Sequence, residues 1–418
     1  MKQVQFQRVM VKYGKYILPS LLRKKFYSRS FKFPRPLDKE ITISVAESSE
    51  DFKAAFALIY SEYLRLGYIK KDDIRMYYKL HHLLPESTLI VAKKQGQVIG
   101  TISLIRDNEF GLPLESCFAL SENRKESARN KRLVEICSFV IDRSYRRTGG
   151  TDLSIYMFKY LYEYAAQFMQ AGLLFIAITP HHFDFYRFLF GFKKWSPKIK
   201  NYMGAPAMNC YLDVPKASQF LMRSKSCQEG NNECFSEFFL NKKCTNFIFP
   251  ERVFHKITDN NMSLFEIKFF LRKKPEIVSD LTENQIRALY LKFGYKKAKK
   301  ILPKLLKVPS YLKRETRFEV ECLAKWEERE SNIRAIQTAK VSNVSSSGLY
   351  IQKQLVERDT LKMRISVGSN LMAQLQVKVI HSCEEGSRLQ IVDSSKEWSQ
   401  FISYLSSQHI NTARQRMS

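Results

Sequence analysis

Residues 133–142 (LVEICSFVID), 146–151 (RRTGGT) and 153–170 follow one another in a single stretch of the chain. Within the first, 133–141 is an aliphatic run that reads as a strand and carries Glu135. The third carries Tyr156, Met157, Tyr160, Leu161, Tyr164 and Phe168 at helical spacing. Thr151 or Asp152 is placed to cap its N-terminus and Gly172 to close it. Between them a basic, glycine-containing loop opens onto a helix N-terminus. Backbone N–H groups there lack intrahelical partners, and the helix dipole favours an anion. A nearly continuous apolar strand, 173–179, and a helix, 183–189, ending at Gly191, complete the stretch.

Working outward, residues 41–45 read as a strand. Residues 48–66 read as a helix with Phe52, Ala55, Phe56, Ile59, Tyr60 and Tyr63 on one face. Residues 88–92 and 98–104 flank Lys94-Gln95-Gly96 as a hairpin. Beyond 215 the character changes: Ser, Asn and Cys cluster at 223–236, then 281–306 reads as a strongly basic helical segment. Short strands return at 318–325, 335–344, 349–352, 375–382 and 388–392, the pattern of a small β-barrel. The chain therefore divides into a basic N-terminal segment (1–40), an α+β domain (41–215), a mostly helical connector (216–309), a small barrel (310–405) and a tail (406–418).

The 418 residues include 69 Lys+Arg against 41 Asp+Glu, a formal charge of +28. A surface so basic attracts polyanions: an acidic carrier protein, a phosphorylated ligand, anionic lipid or nucleic acid. Hydrophobic residues at 44% suffice for real cores, which excludes wholesale disorder. Residues 1–40 hold eleven Lys/Arg, two acids and a rough apolar stripe, so an anionic membrane surface is one expected contact. Apolar runs reach only about seven residues, short of a membrane span, and residues 1–30 lack the apolar core of a signal peptide. Eight cysteines without CxxC spacing read as reduced thiols in a bacterial cytoplasm, not as a metal or redox motif, and no metal is expected. His81-His82 reads as a surface pair. No helix-turn-helix or base-stacking motif appears, so specific nucleic-acid binding is not expected.

The order strand–helix–hairpin–strand–helix–strand–helix resembles the GNAT fold, in which two neighbouring parallel strands splay and an acyl-thioester arm slots between them. More specifically, AKKQGQVIGTISLIRD (92–107), FGLPL (110–114), LVEICSFVID (133–142) and the Pro180–Phe192 segment resemble N-acyl amino acid synthases, relatives of acyl-homoserine lactone synthases. The resemblance covers about residues 41–215. It implies an acyl donor carried as a phosphopantetheine thioester on acyl carrier protein, with acyl-CoA the lesser alternative, and an amino acid amine as acceptor. It implies Glu135 as base or amine binder and Tyr186 as acid near the thioester sulfur. Phe139, Val140, Ile141, Arg146, Arg147, Gly149 and Gly150 would bind the acyl-pantetheine arm. His182 resembles the family's Pro-x-His position. The sequence departs from the family's E-x-x-R strand at Ser138, where arginine is expected, and matches its RxxGxG loop only in part.

In the C-terminal third, Lys313-Arg314-Glu315-Thr316-Arg317 precedes Asn343-Val344-Ser345-Ser346-Ser347-Gly348. This resembles the PilZ signature RxxxR followed by [DN]xSxxG, and implies a β-barrel that binds cyclic di-GMP through Lys313, Arg314, Arg317, Asn343, Ser345 and Gly348. Guanidinium groups grip phosphates and guanine edges bidentately, so Lys313 in place of arginine is a departure. Gly348 is expected to permit a tight turn.

Together these readings give an α+β GNAT-like acyltransferase domain, a basic helical connector and a PilZ-like barrel. The expected activity is acyl transfer from acyl carrier protein to an amino acid amine, regulated by cyclic di-GMP, in the cytoplasm or at the inner face of the membrane. The alternatives are a cyclic di-GMP receptor with an inactive acyltransferase core and a CoA-dependent acetyltransferase.

Overall fold

A computed structural model of the chain describes residues 34–118, 120, 132–148, 150–223, 235–252, 259–293, 295–302, 317–330, 333–356 and 360–407. The first core element is β1 (Ile41–Val45), followed by α1 (Ser49–Arg65). Ser48 caps α1 by accepting from the Asp51 N–H at 3.0 Å, while Asp51 accepts from the Ser48 N–H at 3.2 Å. This reciprocal box is worth about 1 kcal/mol. Then come α2 (Leu80–Leu83), β2 (Ser87–Lys94), β3 (Gln97–Arg106), a 3₁₀ turn at Pro113–Ser116 and β4 (Leu133–Ile141). They are followed by α3 (Arg143–Thr148), α4 (Gly150–Gln167), β5 (Leu173–Ile178), α5 (Phe183–Phe190), β6 (Lys193–Tyr202) and β7 (Ala205–Asp213). The sheet runs β6-β7-β5-β4-β3-β2-β1, extended past β1 by β8 (Phe247–Ile248). Only the β4–β5 and β1–β8 pairs are parallel among the described strands of this sheet.

Side chains alternate across each strand, so the sheet has two chemically distinct faces. Val134, Ile136, Leu174 and Ile176 pack against Tyr156, Tyr160, Leu161 and Tyr164 of α4. Leu133, Leu173 and Phe175 lie on the opposite face, against Leu112 and Leu114 of the 3₁₀ turn. On that face α1 contributes Phe52, Phe56 and Ile59 to a neighbouring cluster.

The residues after β7 form α6 (Val214–Arg223) and α7 (Phe235–Leu240). Beyond β8 lie α8 (Leu264–Lys273), α9 (Glu276–Ser279), α10 (Glu283–Phe293) and α11 (Tyr295–Ile301). These helices cover the core instead of hanging from it. Phe235, Phe238 and Phe239 enter the α4-side cluster, and Phe270, Leu289, Phe293 and Ile301 enter the α1-side cluster.

A closed antiparallel barrel follows, built from β9 (Phe318–Glu330), β10 (Ile333–Val344), β11 (Gly348–Ile351), β12 (Leu361–Gly368), β13 (Leu371–Cys383) and β14 (Gly386–Ser394) in the order β10-β11-β14-β13-β12-β9. Helix α12 (Lys396–Ser407) contributes Trp398, Phe401 and Leu405 to its core.

Several elements differ from the sequence-based expectation. The β6–β7 hairpin was not anticipated, because β6 is largely exposed, rich in lysine and carries Pro197. Its turn residues Met203 and Gly204 both have positive φ, 52° and 77°, the geometry of a tight hairpin turn. β12 and α12 were also unanticipated, and the basic helical segment expected over 281–306 is two helices, α10 and α11. No helix among the described residues is long and apolar enough to cross a membrane.

Candidate active site

The site begins where β4 and β5 part. They pair from Leu133↔Leu173 to Ile136↔Ile176, and the ladder stops there. Ser138 turns the strand at this point with φ 54°, and the β3–β4 register shifts alongside it. A serine in this conformation is held by its neighbours. His82 Nε2 lies 3.1 Å from Ser138 Oγ, and His82 Nδ1 accepts from the Lys79 N–H at 3.0 Å. Since Nδ1 accepts, the proton sits on Nε2, and His82 donates to Ser138. His82 is buried, and burial, with His81 and Lys79 nearby, pushes its pKa down to about 3. The surface reading of His81-His82 is therefore wrong for His82: it is the buried post under the bend in β4.

Glu135 projects from β4 on the α1 side and is only 1% exposed. Its Oε2 accepts from the Leu114 N–H at 2.8 Å, which ties the GLPL segment to the strand. Burial pushes the carboxyl up to about 8, assisted by Glu115 and opposed by the Leu114 hydrogen bond and Lys79. Glu135 is thus a neutral acid at pH 7 that becomes a base just above it.

Around Glu135 stand residues the sequence reading did not select. Tyr63 and Tyr77 have ring centroids 4.9 Å apart, and the Tyr77 hydroxyl donates to Met203 Sδ at 3.6 Å. The Lys79 ammonium lies 5.5 Å from the Tyr202 ring centroid. Burial raises the Tyr63, Tyr77, Tyr202 and Cys137 groups, and Glu135 contributes to the shifts at Tyr63, Tyr202 and Cys137. Tyr63, Tyr77, Cys137 and Tyr202 nevertheless keep part of their surface open. These four partly open groups stand near Glu135, with Met203 of the β6–β7 turn against Tyr77, and we read the space among them as a crevice. These residues come from four separate segments, and no local motif announces them.

Tyr186 lies on the other face. Its ring packs among Phe158, Phe190 and Phe192, with centroids 5.8, 6.2 and 5.7 Å away. Burial pushes its hydroxyl up to about 12, so it keeps its proton at neutral pH. Phe139 and Ile141 pack on the same face, whereas Val140 joins the α1-side cluster. Glu135 and Tyr186 therefore approach the parting strands from opposite sides.

The 146–151 segment is a helix junction more than a loop: Arg146, Arg147 and Thr148 are the last residues of α3, Gly149 lies outside the described residues, and α4 starts at Gly150. Arg146 donates to Glu62 Oε2 at 2.6 Å and to the Ile141 carbonyl at 2.7 Å, so its guanidinium braces the strand end against α1. His181 and His182 are exposed, with rings 4.0 Å apart.

In the barrel, Arg317 Nη1 donates to Asn343 Oδ1 at 2.6 Å, bringing the two halves of the signature together. Ser345 Oγ accepts from the Gly348 N–H at 3.1 Å and closes the β10–β11 turn. Gly348 is needed for a reason other than turn freedom: a Cβ there would meet the Leu389 carbonyl at 2.8 Å and Arg317 Nη2 at 3.5 Å. Lys313 and Arg314 lie outside the described residues. Among the described residues, no group of three His, Cys, Asp or Glu could hold a metal ion.

The parted parallel strands and the helices flanking the sheet give residues 41–213 a GNAT-like acyltransferase fold. Residues 54–213 match the family model of the N-acyl amino acid synthase FeeM. Among solved structures, FeeM itself, an N-acyl amino acid synthase from uncultured soil microbes, is 24% identical over 44% of this chain and 96% of its own, with a TM-score of 0.37. The CoA-dependent acyl-homoserine lactone synthase BjaI, with SAM and isopentyl-CoA bound, is 11% identical over 51% of this chain and 94% of its own, TM-score 0.34. An acyl-CoA N-acyltransferase from Pseudomonas aeruginosa is 12% identical over 41% and 98%, TM-score 0.29. No curated protein matches the chain.

Proposed function

We propose that the protein transfers a fatty acyl chain from the phosphopantetheine thioester of acyl carrier protein to the amine of an amino acid. The observation that carries this reading is Glu135, a buried carboxyl held near neutrality at the opening between β4 and β5. The amine nitrogen attacks the thioester carbon and Glu135 takes its proton. As the tetrahedral intermediate collapses the C–S bond breaks, and the thiolate is protonated by Tyr186 from the opposite face, leaving amide and free pantetheine thiol. Phe139, Val140 and Ile141 border the arm's path. The basic surface suits an acidic carrier, and the commitment of Arg146 to Glu62 leaves less positive charge for a CoA pyrophosphate. The test is mass spectrometry of products from acyl carrier protein and acyl-CoA donors, with Glu135→Ala as control. A product with the carrier donor, lost in the variant, is expected. Acetyl-CoA turnover alone would favour an acetyltransferase instead.

We further propose that the barrel binds cyclic di-GMP through Arg317, Asn343, Ser345 and Gly348 together with Lys313 and Arg314, and that binding alters acyl transfer. The Arg317–Asn343 contact supports this. Titration calorimetry with Arg317→Ala tests it, a loss of binding being expected. If the chain binds the nucleotide but transfers no acyl group, the receptor reading stands.

We place the working protein in the cytoplasm, against an anionic membrane. Helix α8 supports this. Its Ile267, Phe270 and Leu271 are buried, whereas Phe265 is 74% exposed on a face shared with Lys268, Phe269 and Arg272. Apolar rings ringed by cations at i, i+3, i+4 and i+7 suit an anionic lipid surface.

A further inference from the structure

We propose that Lys79 holds the α-carboxylate of the acceptor, so that the crevice selects free amino acids over neutral amines of the same side chain. The inference rests on the acyl-transfer reading above and adds the half of the acceptor that Glu135 cannot recognise.

Position 138, where the resemblance calls for arginine, holds a serine that accepts from buried His82 at 3.1 Å. The expected cation is therefore missing from β4. Another arrives from a neighbouring element. Lys79 precedes α2, and its backbone N–H is fixed to His82 Nδ1 at 3.0 Å, the same imidazole that holds Ser138. From that anchored backbone its side chain enters the crevice, with the ammonium 5.5 Å from the Tyr202 ring centroid. Its charge is felt at both Glu135 and Cys137, which share one face of β4. Lys79 is half-buried and, among the described residues, makes no ion pair. A partly buried ammonium that makes no ion pair is open to an anion that a ligand brings.

A free amino acid supplies it. Its amine lies at Glu135, facing the parted strands, and its carboxylate meets Lys79. Its side chain lies among Tyr63, Tyr77 and Tyr202. An amino acid carboxamide or ester offers the same amine with no charge for Lys79.

The experiment compares L-amino acids with their carboxamides as acceptors for a long-chain acyl carrier protein, using the full chain, Lys79→Met and Lys79→Arg. Unchanged thermal melting of the variants establishes that they fold. The wild type should prefer the free acids by about 10- to 100-fold in kcat/KM, the scale of one charge-assisted hydrogen bond. Lys79→Met should bring the ratio near one, chiefly by raising KM for the acid, and Lys79→Arg should restore part of it. A preference that survives in Lys79→Met, or a wild type that takes acids and amides equally, overturns the role of Lys79 while leaving acyl transfer intact. A wild type that acylates neither overturns the acyl-transfer reading, and this inference with it.

Discussion

Arg106 at the end of β3 is paired with Glu319 on the first strand of the barrel, Nη1 to Oε2 2.7 Å. Two residues further along β9, Glu321 pairs with Arg132, which leads into β4. Glu319 is also the register partner of Asn343, whose side chain accepts from Arg317. One strand thus carries contacts to the proposed nucleotide site and to the strand that bears Glu135.

If β9 transmits the nucleotide's effect, removing its two carboxylates should uncouple the domains. Such partly exposed pairs contribute at most about 1 kcal/mol each, so the fold should survive. The double variant Glu319→Ala/Glu321→Ala should bind cyclic di-GMP as the wild type does, while the nucleotide's effect on the acyl-transfer rate falls by half or more. A full response in the double variant would place the coupling elsewhere.

Glu135 makes two pH predictions. As the proposed base it must be ionised, so kcat/KM should climb as pH rises through about 8. Glu135→Gln should lie about 100-fold lower or more and lack that limb. Stability runs the other way. The folded pKa is raised above the ordinary carboxylate value, so its stabilising contribution is complete below about 4.5 and is lost as pH rises through 8. Melting curves across pH 5–9 should show wild type losing ground steadily to Glu135→Gln.

His82 has the opposite pH behaviour. Its folded pKa is pushed down to about 3 from an ordinary 6.5, so the unfolded chain takes up its proton first. The stability from burying it neutral is complete above 6.5 and is lost as pH falls toward 3. His82→Ala should lower stability by about 2–3 kcal/mol at neutral pH, through the cavity and the orphaned Ser138 hydroxyl. Its melting temperature should then fall less steeply with acid than that of the wild type. An equal slope would mean that the imidazole is protonated in the folded state.

The face of α8 is tested by sedimentation with phosphatidylglycerol vesicles. Phe265→Glu should cut binding several-fold without lowering thermal stability, since Phe265 packs against little. Unchanged binding would move the contact to another surface.

Much of the acyltransferase core was legible in the sequence because its elements follow clean periods. The strands at 41–45 and 133–141 were read to the residue, and Glu135 was singled out by its resemblance to the glutamate of the E-x-x-R strand. The hairpin closing the crevice was not legible. Its outer strand is solvated, so lysine and proline occupy positions where a buried strand would show alternation. Lys79 and His82 escaped for another reason: His82 meets Ser138, 56 residues away, and Lys79 meets Tyr202, 123 residues away. Local spacing cannot report such partners. The barrel's motif was read through its resemblance to a known signature, whereas the close approach of Leu389 to Gly348 required the fold.

Tyr186 supplies the remaining prediction. Its hydroxyl is the one proton source assigned to the far side of the parted strands, and burial pushes its pKa up to about 12. At neutral pH it is fully protonated, as a donor to a departing thiolate must be. Its ring also packs against Phe158, Phe185, Phe190 and Phe192, so Tyr186→Phe keeps those contacts and removes only the hydroxyl. The variant should melt within a degree or two of wild type and hold donor KM nearly constant, while kcat falls about 10- to 100-fold. A thioester with a more acidic thiol leaves without help, so such a donor should recover most of the lost rate. If kcat falls equally for both donors, the hydroxyl positions the arm and is not the acid.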